Sequence, residues 1–596
     1  MSSDNPSFNN TRSGQSNNTR SGQSNNTRSG QSNNTGSGQS NNTGSGQSNN
    51  TRSGQSSAGS RQSFDSNSKR NAIAGSARPF SNQAEFDAFI APLREQGFTH
   101  LPIVRETLAD LDTPVSTYLK LADKPFSYLF ESVQGGDKWG RYSIIGLPCE
   151  THFRFDGYQL SEISNGEVVD QKMVADPLSE VRILQQRYRV ADYPDLPDMI
   201  GGLVGYFGYE TIGFIESKLQ HQMKPDDIGS ADILLMVSKD VLVFDNLLSR
   251  MFIVTLADIN EPDAYQKAQR RLTKTVRNLR DNVVSTASKH SADDGYEVSP
   301  REYQVHFAQD EFEAAVEQCR DYIRDGDIMQ IVLSQRLSTP YTGSSFDVYR
   351  ALRTINPSPY MYFINLGELD IVGSSPEILV RVQDETVTVR PIAGTRKRGA
   401  IVEQDLALEK ELLSDEKELA EHVMLIDLGR NDVGRIAAIG SVKLTEKMAV
   451  ERYSHVMHIV SNVEGRLQPE FDAIDVLKAT FPAGTVSGAP KIRAMEIIAE
   501  LEPIKRGIYS GAIGYLGWHG NMDTAIAIRT AVIKDGVLNI QAGAGIVADS
   551  VPEYEWKETL SKARVMFSAV EMATSGLSLT GPVADQDSNN LSEGGN

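Results

Sequence analysis

Cysteine is scarce in this 596-residue chain: Cys149 and Cys319 are far apart and in no Cys-x-x-Cys or Cys/His pattern. That argues against a disulfide framework or a structural zinc site and favours a reducing compartment, the cytoplasm. Long apolar runs are missing as well. No stretch reaches the roughly 20 residues that span a bilayer, and the N-terminus holds no apolar leader. Basic residues are outnumbered, 59 Lys and Arg against 78 Asp and Glu, for a net charge of −19. A nucleic-acid or anionic-membrane surface is therefore a poor reading. An anionic substrate would have to be gripped by local cations, a metal or backbone N–H groups.

What is present divides the chain unevenly. From Asn9 to Ser56 the octapeptide NNTRSGQS or NNTGSGQS occurs six times in tandem. It offers no apolar residue to bury, so stacked repeats would yield no core. Residues 1–80 read as a disordered polar arm and 575–596 as a polar tail. Between them lie a strand-rich portion, 82–284, and a second portion, 300–574, joined by the polar stretch Ser285–Asp294. Ala231–Phe244 and Met251–Leu256 read as strands in the first. In the second, Asp310–Arg324 and Asp347–Asn356 read as helices, and Asp327–Leu337, Tyr360–Leu366, Leu369–Val372, Ile378–Val382 and Val387–Arg390 as strands. Meandering strands with helices between them imply a mixed α+β body with extensive antiparallel sheet.

Two helices carry paired carboxylates. Ser414–Asp432 has Asp415 and Glu418 at capping-box spacing, and Glu418, Glu421, His422, Leu425 and Leu428 share one side. A second helix starts near Pro552, with Trp556, Leu560, Ala563, Phe567 and Val570 as its core stripe. Glu555, Glu558 and Lys562 adjoin that stripe. A single E-x-x-E is usually a solvated face. Two such pairs beside core stripes, with no His or Cys set to complete a zinc site, suit a hard cation such as Mg²⁺. Two glycine-rich segments follow the same logic. Phe481–Lys491 (FPAGTVSGAPK) resembles a phosphate loop only loosely, its spacing broken by Pro490. Gln541–Ile546 (QAGAGI) is the better anion cradle, with Arg529 on the strand Thr524–Val532 beside it; a structural turn is the alternative for either.

GDIMQIVLSQR, SPYMYF, GSSPE, PIAGT, SDEKELAEHVMLIDLGRND, FPAGTVSGAPK, IYSGAIGY, AIAIRT, QAGAGIVADS and EYEWKETLSKA, in this order across Gly326–Ala563, resemble the signature of the chorismate-utilising enzymes. The segment SYLFESVQGGDKWGRYSIIG resembles the anthranilate synthase large subunits in particular, with Phe130 for a leucine of their L-L-E-S segment. Water-adding members of the family carry a lysine base where this chain has Gln330. Aminodeoxychorismate synthases carry a nucleophilic lysine in P-I-K-G-T, where this chain has Ala393. Both differences fit direct attack by ammonia to give anthranilate and pyruvate. Aminodeoxychorismate synthase, or an enzyme that stops at the 2-amino intermediate (an aminodeoxyisochorismate synthase), is the alternative within the family. A catalytically dead scaffold would be expected to lack some of Glu377, Glu421, His458 or Glu558, and all are present.

The resemblance also implies roles. Glu421 and Glu558 hold Mg²⁺, supported by Glu418 and Glu555. Glu377 is the general acid for the departing hydroxyl, and His458 serves the loss of pyruvate. Tyr509, Arg529 and the backbone of Gly543, Ala544 and Gly545 grip the enolpyruvyl carboxylate, while Gly394, Thr395, Thr485 and Lys562 complete the pocket. Tryptophan, as a feedback inhibitor, binds at Ser132, Pro359, Tyr360 and Met361, with Lys138 and Tyr142 as additions. Taken alone, His458 in a strand would be a packed histidine and SPYM an ordinary apolar turn. Neither cysteine sits in the glycine-rich elbow of a glutaminase, so ammonia comes from a glutamine amidotransferase partner subunit or from free ammonium.

Overall fold

Apolar runs such as Ile233–Ser238 (ILLMVS) lack any alternation of polar and apolar residues because both faces of their sheet are covered. Ile233, Leu235 and Val237 pack into one core and Leu234 and Met236 into another, the two-residue period of a strand. The structure, a computed structural model, describes residues 80–133, 140–192, 196–220, 224–283, 303–453 and 456–577. Most of the polar arm, the connector, Lys138 and the tail beyond 577 lie outside the described residues. Phe80, assigned to the arm, packs its ring against Phe86, Phe89 and Tyr265.

Two twelve-stranded antiparallel sheets form the body. The first runs from His100–Leu108 through Arg250–Asp258, Asp240–Asp245, Tyr142–Gly146, Ser127–Glu131, Tyr360–Asn365, Asp370–Ser375, Thr530–Lys534 and Val537–Ile546 to Gln330–Pro340 and Gln304–Val305. The second runs from Ile392–Lys397 through Val456–Arg466, Thr386–Val389, Ile378–Gln383, Met522–Ile526, Ala512–Gly517, Gly202–Phe207, Ile233–Ser238, Thr151–Asp156 and Gln159–Ser164 to Glu167–Met173. Gly488–Ala489 adds to Gln330–Pro340 and Lys443–Arg452 to Val456–Arg466. Tyr128, Tyr362, Ile364 and Ile371 of the first sheet meet Val204, Tyr206, Leu234 and Ile513 of the second in one buried layer.

The two portions read from the sequence are not two separate bodies. Ser127–Glu131 pairs with Tyr360–Asn365, and Gly202–Phe207 pairs with Ala512–Gly517, so each sheet draws strands from both. Ala231–Phe244 is likewise two strands in different sheets, broken at Lys239 between Ile233–Ser238 and Asp240–Asp245. Helices cover the outer faces. On the helix Pro552–Thr574, Trp556, Thr559, Ala563, Met566, Ala569 and Val570 are buried, while Leu560 and Phe567 are only half-buried. Among the described residues no helix is long and apolar enough to cross a membrane.

Candidate active site

The site forms where the chain changes sheets. Asp370–Ser375 lies in the first sheet and Ile378–Gln383 in the second, so Glu377 sits on the crossing. The return crossing, between Met522–Ile526 and Thr530–Lys534, carries Arg529. The expected strand Thr524–Val532 is therefore two strands with Arg529 between them, in the left-handed region at φ 51°. That conformation is uncommon for a residue with a Cβ and leaves the ordinary strand path. The crossings are tied side by side. Ile526 N–H donates to the Glu377 carbonyl at 3.0 Å, Ser374 N–H to the Arg529 carbonyl at 3.1 Å, and Ser375 Oγ to the Ile526 carbonyl at 2.7 Å.

Glu377 is buried, and burial pushes its carboxyl up to about 8, opposed by hydrogen bonds from Thr485 and the Ile392 N–H. Thr485 Oγ1 donates to Glu377 Oε1 at 2.6 Å. Thr485 comes from the FPAGTVSGAPK segment, which is no phosphate loop. Gly484–Val486 is a single turn, Gly488–Ala489 pairs with Gln330–Ile331, and Lys491 is buried on Asp432 at 2.7 Å. His458 lies one short strand away. Its Nδ1 is 3.0 Å from the Gly394 carbonyl and 3.1 Å from Thr395 Oγ1. Gly394 adopts φ 64° at an irregularity in the pairing with Val456–Arg466, a backbone that favours glycine. A carbonyl only accepts, so Nδ1 carries the proton and Nε2 is the basic nitrogen. Burial lowers the imidazole pKa, and the Arg529 charge lowers it further.

The carboxylate pairs face the same space. The helix Glu416–Gly434 is capped by Asp415, whose side chain accepts from Lys417 N and Glu418 N; Glu418 instead pairs with Arg396 at 3.0 Å. His422 and Leu425 are buried beside it, as the shared face requires. Glu421 Oε1 accepts from Gln330 Nε2 at 3.3 Å. Burial raises the Glu421 pKa, with added repulsion from Glu418 and Glu558. Burial also raises Glu555, again with repulsion from Glu558. Glu558 stands on the open side, its side chain 47% exposed, and pairs with Lys562 at 2.7 Å. Hard oxygen donors that repel one another are what a divalent cation relieves. Among the described residues, however, no three His, Cys, Asp or Glu side chains group closely enough to hold a metal ion.

QAGAGI is not a loop. It is part of the strand Val537–Ile546, laddered along one edge to Gln330–Pro340, and not the glycine-rich loop the sequence suggested. Its glycines make room instead. A Cβ on Gly543 would stand 2.9 Å from Tyr509 Oη, and one on Gly545 2.9 Å from Gln330 Nε2. Lys562 Nζ donates to the Gly543 carbonyl at 2.8 Å. Ala544 packs into the apolar core and offers only backbone. Tyr509 is buried, which raises its pKa, with the charges of Arg506 and Arg529 lowering it. Burial lowers that of Arg529, opposed by Tyr509 and Glu558.

A second cavity, of about 420 Å³, is lined by Ser132, Tyr142, Pro359, Tyr360 and Met361, bringing these sequence candidates together. Sequence reasoning missed its charged lining. Glu131 is held by Arg353 at 2.9 Å, and Asp523 takes Tyr360 Oη at 2.9 Å and Arg381 at 2.6 Å. Arg381 and Asp523 lie on strands outside every motif, whereas Glu131 sits inside the SYLFES segment, next to Ser132. In the first site the reading also missed Arg396, Glu451 and Tyr453.

Residues 132–568 match the chorismate binding enzymes. Fold and match define the class, and the chain belongs to that family. Within it the similarity runs to one branch. Anthranilate synthase component 1 of Pseudomonas putida is 57% identical over 477 residues, covering 80% of this chain and 96% of the relative. The same component from Aquifex aeolicus is 46% identical over 481 residues, covering 80% and 96%. The crystal structure of anthranilate synthase component I from Streptococcus pneumoniae is similar at TM-score 0.63 and 41% identity, covering 77% of this chain and 99% of that one. The menaquinone-specific isochorismate synthase of Escherichia coli shares the fold, at TM-score 0.59 and 18% identity over 82% and 100%.

Proposed function

We infer that the cleft makes anthranilate and pyruvate from chorismate and ammonia. The observation that carries this is a buried carboxylic acid, Glu377, hydrogen-bonded by Thr485 in a site whose positions 330 and 393 hold glutamine and alanine. Neither can act as a lysine base or nucleophile, so ammonia attacks the ring directly. As it adds at C2, Glu377 protonates the departing C4 hydroxyl, which leaves as water. His458 Nε2 then takes the C2 proton while the C3–O bond breaks. The electron pair closes the aromatic ring, and the released enolpyruvate gains a proton to become pyruvate.

Arg529, Tyr509 and the backbone at Gly543–Gly545 receive the enolpyruvyl carboxylate, with Gly394, Thr395, Thr485 and Lys562 closing the pocket. Glu421 and Glu558 would hold Mg²⁺, backed by Glu418 and Glu555; bound there, the ion supplies Lewis-acid polarisation of the ring carboxylate. Burial pushes both thiols, Cys149 and Cys319, up to about 12, which suits neither to a glutaminase nucleophile. Ammonia then comes from a glutamine amidotransferase subunit or from free ammonium. The second cavity is large enough for an indole amino acid and has charges to pair both of its ends, so tryptophan is its inhibitor.

Chorismate, Mg²⁺ and ammonium incubated with the protein should yield the fluorescence of anthranilate, lost when any one is omitted. A 4-amino product, or isochorismate, would overturn the reading.

A further inference from the structure

His458 is flanked on both sides within its sheet. Thr395 is its partner on the strand Ile392–Lys397, and Glu451 its partner on Lys443–Arg452. Cross-strand partners share a face, so Glu451 stands beside the imidazole. Arg390, itself buried, holds Glu451 with Nη1 at 2.9 Å and Nη2 at 2.6 Å. Glu451 Oε2 in turn accepts from Tyr453 Oη at 2.9 Å. The Tyr453 ring meets His458 edge-on, centroids 5.5 Å apart at 67°. Its backbone is fixed separately, since Arg398 Nη1 donates to the Tyr453 carbonyl at 2.5 Å and Arg398 grips Asp405 at 2.9 Å. Tyr453 is thus pinned at the carbonyl and the hydroxyl, and what it presents between them is a ring edge against one imidazole.

We propose that Tyr453, tied through Glu451 to Arg390, is a positioning residue that holds His458 with Nδ1 on the Gly394 carbonyl and Nε2 free for the pyruvate-eliminating half of the reaction. The inference rests on the proposed function. Among the described residues, the other hydrogen-bond checks on imidazole rotation are the Nδ1 contacts to Gly394 and Thr395. A half-turn about the Cβ–Cγ bond would put ring carbons where Nδ1 and Nε2 stand, breaking the Nδ1 contacts and misdirecting the base. Glu451 and Arg529 also act on the imidazole charge in opposite senses, the first favouring it and the second opposing it. Glu377 is close enough for its charge to act on Tyr453, but no hydrogen bond joins the two among those described. The effect should therefore fall on elimination and spare amination.

The test separates the halves. Full-length wild type, Tyr453→Phe and Tyr453→Ala are given chorismate, Mg²⁺ and ammonium, and the 2-amino intermediate, anthranilate and pyruvate are resolved by chromatography. Purified intermediate is then supplied alone. With Tyr453→Ala, elimination should slow roughly tenfold or more while amination stays within about twofold, so the intermediate accumulates. Tyr453→Phe, which keeps the ring and loses only the tie to Glu451, should recover part of that loss. An equal fall in both halves, or unchanged elimination in both variants, overturns the proposal. Should the alanine variant fold poorly, the phenylalanine variant decides by the same split. A wild type that makes no anthranilate refutes the reading of the cleft, and this inference with it.

Discussion

Glu377 is the residue on which the chemistry turns most sharply. As general acid it must be protonated, so amination should be sustained below pH 8 and fall as pH rises through about 8, the value burial gives it. The same shift costs stability. In the folded state the carboxyl stays protonated where the unfolded chain has already lost the proton. Between its ordinary value and about 8 the fold therefore weakens as pH rises. Glu377→Gln should abolish amination yet melt higher than wild type at pH 8, with the gap closing toward pH 5. A melting temperature lowered at pH 8 would show that the carboxylate is compensated in a way the structure does not contain. The paired carboxylates make a second case: Glu421→Gln or Glu558→Gln should abolish turnover while circular dichroism stays unchanged, and near-normal rates at ordinary Mg²⁺ would remove both from the metal. Glu377 stood out because the GSSPE motif carried it, and His458 only through the role the resemblance implied. Glu451 and Tyr453 did not, because their meaning lies in cross-strand register, which a single sequence does not display.

Among the elements, the strand Ile378–Gln383 joins two sites. Glu377 immediately precedes it, and Arg381 and Gln383 line the second cavity at its other end. A ligand there regulates only through a difference in affinity between two arrangements, and this strand offers a short path from cavity to acid. Ser132→Ala should remove a hydrogen bond to the bound amino acid's charged group, worth about 1.5–3 kcal/mol. Half-inhibition by tryptophan should then need a roughly tenfold to hundredfold higher concentration, with uninhibited turnover unchanged. Equal inhibition of the variant, or a wild type indifferent to millimolar-scale tryptophan, would empty this site of its ligand. The helices were legible from their starts: Asp415 caps one and Pro552 opens another. Sheet crossings were not: Ser238, Lys239 and Asp240 interrupt Ala231–Phe244, but a polar break does not say that the strands on either side join different sheets. The glycines of QAGAGI pointed to an anion-cradling loop, with a structural turn as the alternative, whereas they lie in a strand closely approached by Tyr509 and Gln330.

At the scale of the whole molecule, the interleaving of the portions has a mechanical consequence. Residues 82–284 alone would expose the edges of Ser127–Glu131 and Gly202–Phe207, which pair with Tyr360–Asn365 and Ala512–Gly517. Open, apolar strand edges invite aggregation. Each portion expressed alone should be insoluble, and co-expression should restore a soluble complex. Independent folding of 82–284, with a cooperative melt of its own, would contradict this. The α+β class and the antiparallel bias were readable from strand and helix patterns. The interleaving was not, because the polar connector Ser285–Asp294 reads as a boundary whether or not the strands on either side of it pair.

The most direct measurement is the product profile of three proteins given chorismate, Mg²⁺ and ammonium: wild type, Glu377→Gln and His458→Ala. Wild type should release anthranilate and pyruvate in equal amounts. Glu377→Gln should leave chorismate unconsumed, whereas His458→Ala should convert it and stop at the 2-amino intermediate. Anthranilate from His458→Ala at the wild-type rate, or consumption of chorismate by Glu377→Gln, would contradict the division of labour assigned to this cleft.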